Sequence, residues 1–175
     1  MIRFVILSNP SNETFNIVKG FLKDVTSYNV YNNVVSFLDF EDSIEALKNL
    51  SDDFFIDMIV SEASEKFSID DSNWLNNLYE KSNLKGFVLE KEILIKTLDL
   101  SEYTKKRVLK SNYNIFENLE VIKKFLECSM NMSKASIELY MHRNTLISKI
   151  EKFYLETGYD PKNFKDAFIL YNLIK

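Results

Sequence analysis

A chain of 175 residues with 46% hydrophobic and 14% aromatic side chains can bury a real core in one or two small domains, which excludes a mainly disordered protein. Three Gly and two Pro point to helices with short connections and leave no material for a phosphate-cradling glycine loop. The net charge of -4 argues against a nucleic-acid binder until its distribution is considered.

The first apolar run, Ile2 to Leu7, is too short for a secretory h-region and passes at once into Ser8-Asn9-Pro10 without a small-residue cleavage site. Nowhere does an apolar run approach the roughly 18 residues of a membrane span, so no membrane association is expected. From Glu13 to Val25, Phe15, Val18, Phe21, Leu22 and Val25 recur at helical spacing. Tyr28 to Phe40 reads as two short strands turning at Asn32-Asn33, because Asn tolerates the left-handed backbone of a two-residue hairpin. Asp42-Ser43 can cap a helix running through Leu50. Phe55 to Val60 reads as a strand, Ser72 to Lys81 as a helix and Gly86 to Leu89 as a further strand. The order βαββαβαβα predicts a sheet with helices on one face or on both.

From Lys91 to Lys110 the pattern turns helical, and Asn112-Tyr113-Asn114 marks a domain boundary, giving an α/β (α+β) domain over 1–112 and an all-α domain over 113–175. Four helices are expected in the second: Phe116 to Ser129, Ser133 to Tyr140, Arg143 to Thr157 and Asn163 to Ile174. Gly158 stands where a helix C-terminus favours glycine, with Pro161 just beyond. In the last helix Phe164, Ala167, Phe168 and Tyr171 form the stripe expected to face the core. Cys128 lies in an apolar helical pattern with Ile122 and Phe125, predicting a buried core thiol. As the sole cysteine it excludes an internal disulfide and a Cys-rich zinc site and suits the cytoplasm.

The stretch from Ser133 to Thr157 carries the most information. A short helix with Ala135 and Leu139 on one side is followed by a long one with Leu146, Ile150 and Phe153 at i, i+4, i+7. Between them, Met141 supplies an apolar anchor, and His142-Arg143-Asn144 places donors and acceptors at the start of the second helix. That is the layout of a helix-turn-helix whose second helix enters a major groove. Over 113–175 there are nine Lys or Arg against eight Asp or Glu, a net of +1, while the remainder carries -5. This is a weak electrostatic footprint, so one module would bind double-stranded DNA feebly and a homodimer is expected.

Candidate DNA-binding residues are Ser133, Lys134, His142, Arg143, Asn144, Thr145, Ser148, Lys149 and Lys152. Arg143 can grip phosphate or read guanine, and Asn144 can pair with adenine or cap the helix. Thr145 and Ser148 can bond phosphates, and Lys149 and Lys152 can hold the backbone, against a purely solvated face beside Glu151 and Glu156. His142, the single histidine, reads as a hydrogen-bonded hinge rather than a metal ligand. Lys105-Lys106-Arg107 with Lys110 is the densest basic cluster, able to brush flanking phosphates but read chiefly as a solvated run. Nucleophile-elbow, Walker A and metalloprotease motifs are absent. Asp52-Asp53 and Asp70-Asp71 fall in apparent loops as caps or surface charge, so no catalytic residue, metal or cofactor is expected.

The run from Asn131 to Leu173 resembles the C-terminal helix-turn-helix of the PucR/CdaR group of bacterial transcription regulators. The likeness rests on Asn131, Ala135, Leu139, the unbroken His142-Arg143-Asn144-Thr145-Leu146, then Glu151-Lys152 and Thr157-Gly158. It implies a transcription regulator that binds DNA, with an effector whose identity the residues do not give. Family members often carry a degenerate relative of the GGDEF nucleotide-cyclase fold ahead of this domain. The alternation through Val34-Val35-Ser36-Phe37-Leu38 and Asp57-Met58-Ile59-Val60-Ser61 resembles a shortened version of it, with Tyr31-Asn32-Asn33-Val34 where a working cyclase has its Gly-Gly acidic loop. Two departures stand out: Ile147-Ser148-Lys149 replaces an Arg-rich stretch, and the length of the sequence leads to the expectation that it lacks the group's large N-terminal sensory module. A protein-interaction or ligand-sensing module whose helix-turn-helix no longer binds DNA is the alternative.

Overall fold

The alternation of apolar residues in the first half builds a five-stranded sheet. In this computed structural model residues 2–7, 11–63 and 68–175 are described; the Ser8-Asn9-Pro10 step after the first apolar run lies outside them. Strand β1 (Ile2–Leu7) is central, antiparallel to β3 (Val34–Leu38) on one side and to β4 (Met58–Ala63) on the other. Beyond them lie β2 (Tyr28–Tyr31), antiparallel to β3, and β5 (Phe87–Leu89), parallel to β4, for an order β2-β3-β1-β4-β5. With α1 (Asn12–Val25) and α2 (Ser43–Phe54), the first six elements form a split βαβ, ferredoxin-like arrangement. Helix α3 (Ile69–Ser82) then leads to β5, and α4 (Glu90–Thr97) follows directly.

Residue parity decides which side each strand residue serves. Val5, Leu7, Val35, Phe37, Met58 and Val60 face α1 and α2, whose Val18, Leu22, Leu47 and Leu50 close the main core. Phe4, Ile6, Val34 and Ile59 point the other way and are equally buried, so both faces of the sheet are covered. Local chemistry sets the helix ends. Ser11 Oγ accepts from Thr14 N–H at 3.0 Å to open α1. Ser68 and Asp71 exchange bonds in a capping box that opens α3, so Asp71 is a cap while Asp70 is simply in the first turn. Asp42 precedes α2 as expected but makes no side-chain cap bond; Ser43 Oγ instead donates to Asp39. Asp52 and Asp53 lie within α2, not in a loop, because that helix runs on to Phe54. In the hairpin Asn32 alone takes the left-handed conformation, at φ 51°, while Asn33 donates its side-chain amide to the Leu7 carbonyl.

The chain divides into two compact units, Met1–Thr97 and Leu98–Lys175. The expected boundary at Asn112 falls inside the second unit, for a physical reason. A 3-10 turn over Lys110–Asn114 holds Asn112 fully buried, its amide donating to Glu156 at 2.8 Å and its carbonyl oxygen accepting from Asn118 at 2.9 Å. A turn-forming residue here is an internal tie, and α5 (Glu102–Leu109), which packs on that turn, belongs to the same unit. The second unit is all-helical, so the chain combines an α/β unit with a helical one. Among the described residues no helix is long and apolar enough to cross a membrane.

Candidate nucleic-acid interface

Three helices frame the candidate surface: α6 (Phe116–Glu127), α7 (Met132–Glu138) and α8 (Arg143–Thr157), with α9 (Phe164–Ile174) packed on α6. Cys128 caps α6 and is buried. Burial pushes its thiol above the usual range, and the Glu138 carboxylate adds to the effect, so it is an inert core group. Asn131 Oδ1 accepts from Lys134 N–H at 3.0 Å and starts α7, whose Ala135 is fully buried. The turn is made by Tyr140 at φ 50°, and Met141 N–H closes back on the Ser136 carbonyl at 2.9 Å.

His142 then occupies the N-cap of α8 in an extended conformation, and its Nδ1 accepts from the Asn144 backbone N–H at 3.2 Å. The bond requires the tautomer with Nδ1 unprotonated. The helix-start role open to Asn144 is therefore taken by His142, and the Asn144 side chain is left exposed. Leu146, Ile150, Phe153 and Thr157 bury the inner face of α8, and Gly158 ends the helix at φ 81°.

On the opposite side Asn144, Ser148, Glu151 and Leu155 stand at i, i+4, i+7, i+11, with Arg143 and Thr145 flanking in the first turn. All six are exposed. Among the described residues the side chains of Arg143, Asn144, Thr145 and Ser148 make no hydrogen bond or ion pair. The lysines differ. Lys149 Nζ lies 2.9 Å from Glu117 Oε1 of α6, Lys152 lies 3.7 Å from Glu156, and Lys134 lies 4.0 Å from Glu138. Ser133 is exposed in the first turn of α7, its carbonyl accepting from Ser136 Oγ at 2.9 Å.

The nine candidates thus divide into open donors in the first turns of α8, the exposed Ser133 and the capping His142, and lysines already facing carboxylates. Apolar groups on these elements stand exposed that the sequence reading does not single out: Ile137 of α7, Tyr140 at the turn, 99% exposed, and Tyr154 and Leu155 of α8, the latter on the outward stripe and 82% exposed. The signal for Leu155 was its helical phase, opposite Leu146 and Ile150. The α9 stripe is reversed from expectation. Ala167 is buried, but Phe164, Phe168 and Tyr171 are exposed, and Ile169, Leu170 and Leu173 fill the core instead. Asp166 can be buried beside them because its carboxylate accepts from the Asp160 backbone N–H at 2.9 Å.

Redrawing the boundary also redraws the charge. The helical unit from Leu98 onward carries thirteen Lys or Arg against ten Asp or Glu, a net of +3, and the first unit carries nine against sixteen, a net of -7. In the basic run, Lys105 pairs with Glu102 at 3.1 Å and Lys106 lies over the Tyr113 ring. Among the described residues no group of three or more His, Cys, Asp or Glu is placed to hold a metal ion.

Comparison with known proteins bears on the same helices. Residues 119–174 match the PucR C-terminal helix-turn-helix domain. The uncharacterized protein YxkF of Bacillus subtilis (strain 168) is 36% identical over 52 residues, 30% of this chain and 18% of that protein. The crystal structure of a regulator of polyketide synthase expression from Bifidobacterium adolescentis is similar in fold. Its TM-score is 0.54 at 14% identity, covering 99% of this chain and 78% of that one.

Proposed function

We propose that the protein is a cytoplasmic transcription regulator that binds double-stranded DNA by laying the N-terminal half of α8 in a major groove. The observation that carries this reading is the exposed set Arg143, Asn144, Thr145 and Ser148, without a side-chain partner among the described residues, at the start of the second helix of a PucR-type helix-turn-helix domain. Arg143 is then the phosphate or guanine contact, Asn144 is released for base reading by the His142 cap, and Thr145 and Ser148 bond phosphates. Lys134, Lys149 and Lys152 steer through the duplex field once their carboxylate partners give way. A surplus of +3 on one unit supports weak binding by a single copy, so a homodimer presents two α8 helices about 34 Å apart to paired half-sites. The fold-level likeness to a polyketide synthase regulator from Bifidobacterium adolescentis supports the same class. The first unit is read as a shortened, catalytically silent relative of the GGDEF fold.

Fluorescence anisotropy with native genomic fragments, repeated across a salt series, tests this. A specific binder shows log K falling with log salt at about -0.9 per phosphate neutralised, and Arg143→Ala reduces affinity by roughly 10-fold or more while lowering the slope by about one contact. The absence of any fragment preferred over bulk DNA rejects the proposal. A second reading, an interaction module without DNA binding, draws on the three lysines held by Glu138, Glu117 and Glu156 and on Glu151 in the middle of the outward stripe. It predicts no salt-dependent binding at all.

A further inference from the structure

On the sheet face turned away from α1 and α2, a cavity of about 180 Å³ opens between the β2–β3 hairpin, β1 and the first turn of α3. Strand register explains its floor. Asn29 of β2 stands opposite Ser36 of β3, and Ser36 opposite Phe4 of β1, so the three form a row across the face. Where that face packs tightly it uses Ile6, Val34 and Ile59; at Ser36 it offers a half-buried hydroxyl instead. Asn32 from the hairpin tip and Asn73 from α3 complete the polar lining, and Phe4, Val34 and Ile69 form the apolar walls.

Two properties of the lining restrict what fits. First, its hydrogen-bonding capacity is open. Asn33 is occupied, donating to the Leu7 carbonyl at 3.1 Å and accepting from Ser72 Oγ at 3.5 Å, but among the described residues the side chains of Asn29, Asn32, Asn73 and Ser36 make no hydrogen bond. Second, among the described residues no charged side chain lines the cavity, so the lining offers an ion no counter-charge and favours a neutral hydrogen-bonding group. A carboxamide presents C=O and N–H side by side, and the group that answers both at once is another amide with its C=O and N–H on one edge. At about 30 Å³ of liquid volume per water, the space equals roughly six waters, enough for a six-membered ring.

We propose that this cavity, bounded by Asn29, Asn32, Ser36 and Asn73, is a binding site for a small uncharged cyclic amide, its lactam edge hydrogen-bonded to the asparagines and its ring against Phe4, Val34 and Ile69. The ligand would bridge the β2–β3 hairpin and the capped start of α3, elements otherwise joined at this point by the Asn33–Ser72 bond. The site lies within the first unit and its assignment does not rest on DNA binding.

The test uses the full chain labelled with ¹⁵N and titrated with δ-valerolactam, following the side-chain NH₂ signals of Asn29 and Asn73 and the backbone amide of Ser36. A ligand of seven non-hydrogen atoms should saturate these shifts with a Kd on the order of millimolar. Asn29→Ala and Asn73→Ala, both at exposed positions, should each weaken binding by about 5-fold or more with the folded spectrum retained. Piperidine, the cationic ring of the same size, and tetrahydropyran, which lacks an N–H, should bind at least about 10-fold more weakly. The proposal is overturned if no shift saturates by about 100 mM lactam, a range well above that expected for so small a ligand. Equal binding of either control ring, which marks a non-selective apolar hole, or unchanged affinity in both Asn variants overturns it as well.

Discussion

The two units use their surfaces in opposite ways. In the first, both faces of the sheet carry buried apolar residues, and the unit has a net charge of -7. In the second, the charge is +3, α8 buries the single stripe Leu146, Ile150, Phe153 and Thr157, and four polar side chains in its first turns have nothing in the unit to bond. Stability in the first unit therefore comes from packing across strands, whereas the outward face of α8 adds almost nothing to folding. Arg143, Asn144, Thr145 and Ser148 are therefore expected to matter little to folding, which leaves them available to an outside partner.

The largest expected effect breaks the packed side of this contrast. Phe37, 2% exposed at the centre of the main core, should cost about 3–5 kcal/mol as Phe37→Ala, measured by urea unfolding of the full chain. Arg143→Ala in the same assay should lie within about 0.5 kcal/mol of the parent, since surface positions rarely exceed that. If the two variants were comparably destabilised, Arg143 would have a structural role and the division drawn here would fail.

What was legible in the sequence follows the same line. The order of nine elements in the first unit could be read because strand alternation and helical spacing each leave one phase that buries. In α8 likewise Leu146, Ile150 and Phe153 define a single face and Gly158 a single end. In α9 the sequence Phe164 to Ile174 is apolar on two sides, so spacing alone could not choose between the aromatic stripe and Ile169, Leu170 and Leu173. The choice is made by tertiary packing, with Asp166 rescued by the Asp160 backbone. Asn112 misled for a related reason: residue type marks a turn, but only the fold supplies Glu156 and Asn118 as its partners. The cap of α8 was hidden because Asn is the better N-cap by type, whereas the backbone places His142 at that position. The Lys149–Glu117 pair joins residues far apart in sequence and had no local signature.

A second test concerns the charge that the first unit does organise. Burial by itself would raise the Asp39 carboxyl, but hydrogen bonds from Arg3 at 2.5 Å and Ser43 at 2.6 Å, with the Arg3 charge, hold it below its ordinary value of 3.8. A depressed folded pKa means the stabilisation is fully present above the unfolded value and is lost as pH falls through the lower, folded one. Asp39→Asn should therefore cost about 1.5–3 kcal/mol at neutral pH, and the gap between variant and parent should narrow once the pH drops below about 3.8. A gap independent of pH would remove Asp39 from the electrostatic account.

His142→Ala probes the hinge between folding and reading. Losing the Nδ1 bond to Asn144 N–H should cost about 1 kcal/mol, the usual value of an N-cap. DNA affinity should fall by more than the folded fraction explains, because Arg143 and Asn144 sit on the turn that the cap orders. His142→Asn, which can accept the same N–H, should recover most of both losses. Loss of stability without loss of affinity would show that the first turn of α8 is not the contact surface.

The smallest effect is the one that best separates the two readings of the helical unit. Glu117 is four-fifths exposed and holds Lys149 across from α6, a surface pair of the kind worth about 0–1 kcal/mol. Glu117→Gln should leave stability nearly unchanged and release Lys149 toward a phosphate. If α8 lies in a groove, affinity rises by roughly 2- to 5-fold at low salt and the salt slope steepens by about 0.9, the signature of one added contact. If the lysines are kept neutral because the surface serves a protein partner, the same substitution leaves anisotropy with DNA flat at every salt concentration. The pair that looks like a defect in a DNA-binding face is thus its most direct assay, since the phosphate backbone rewards the freed charge with counterion release and a neutral protein surface does not.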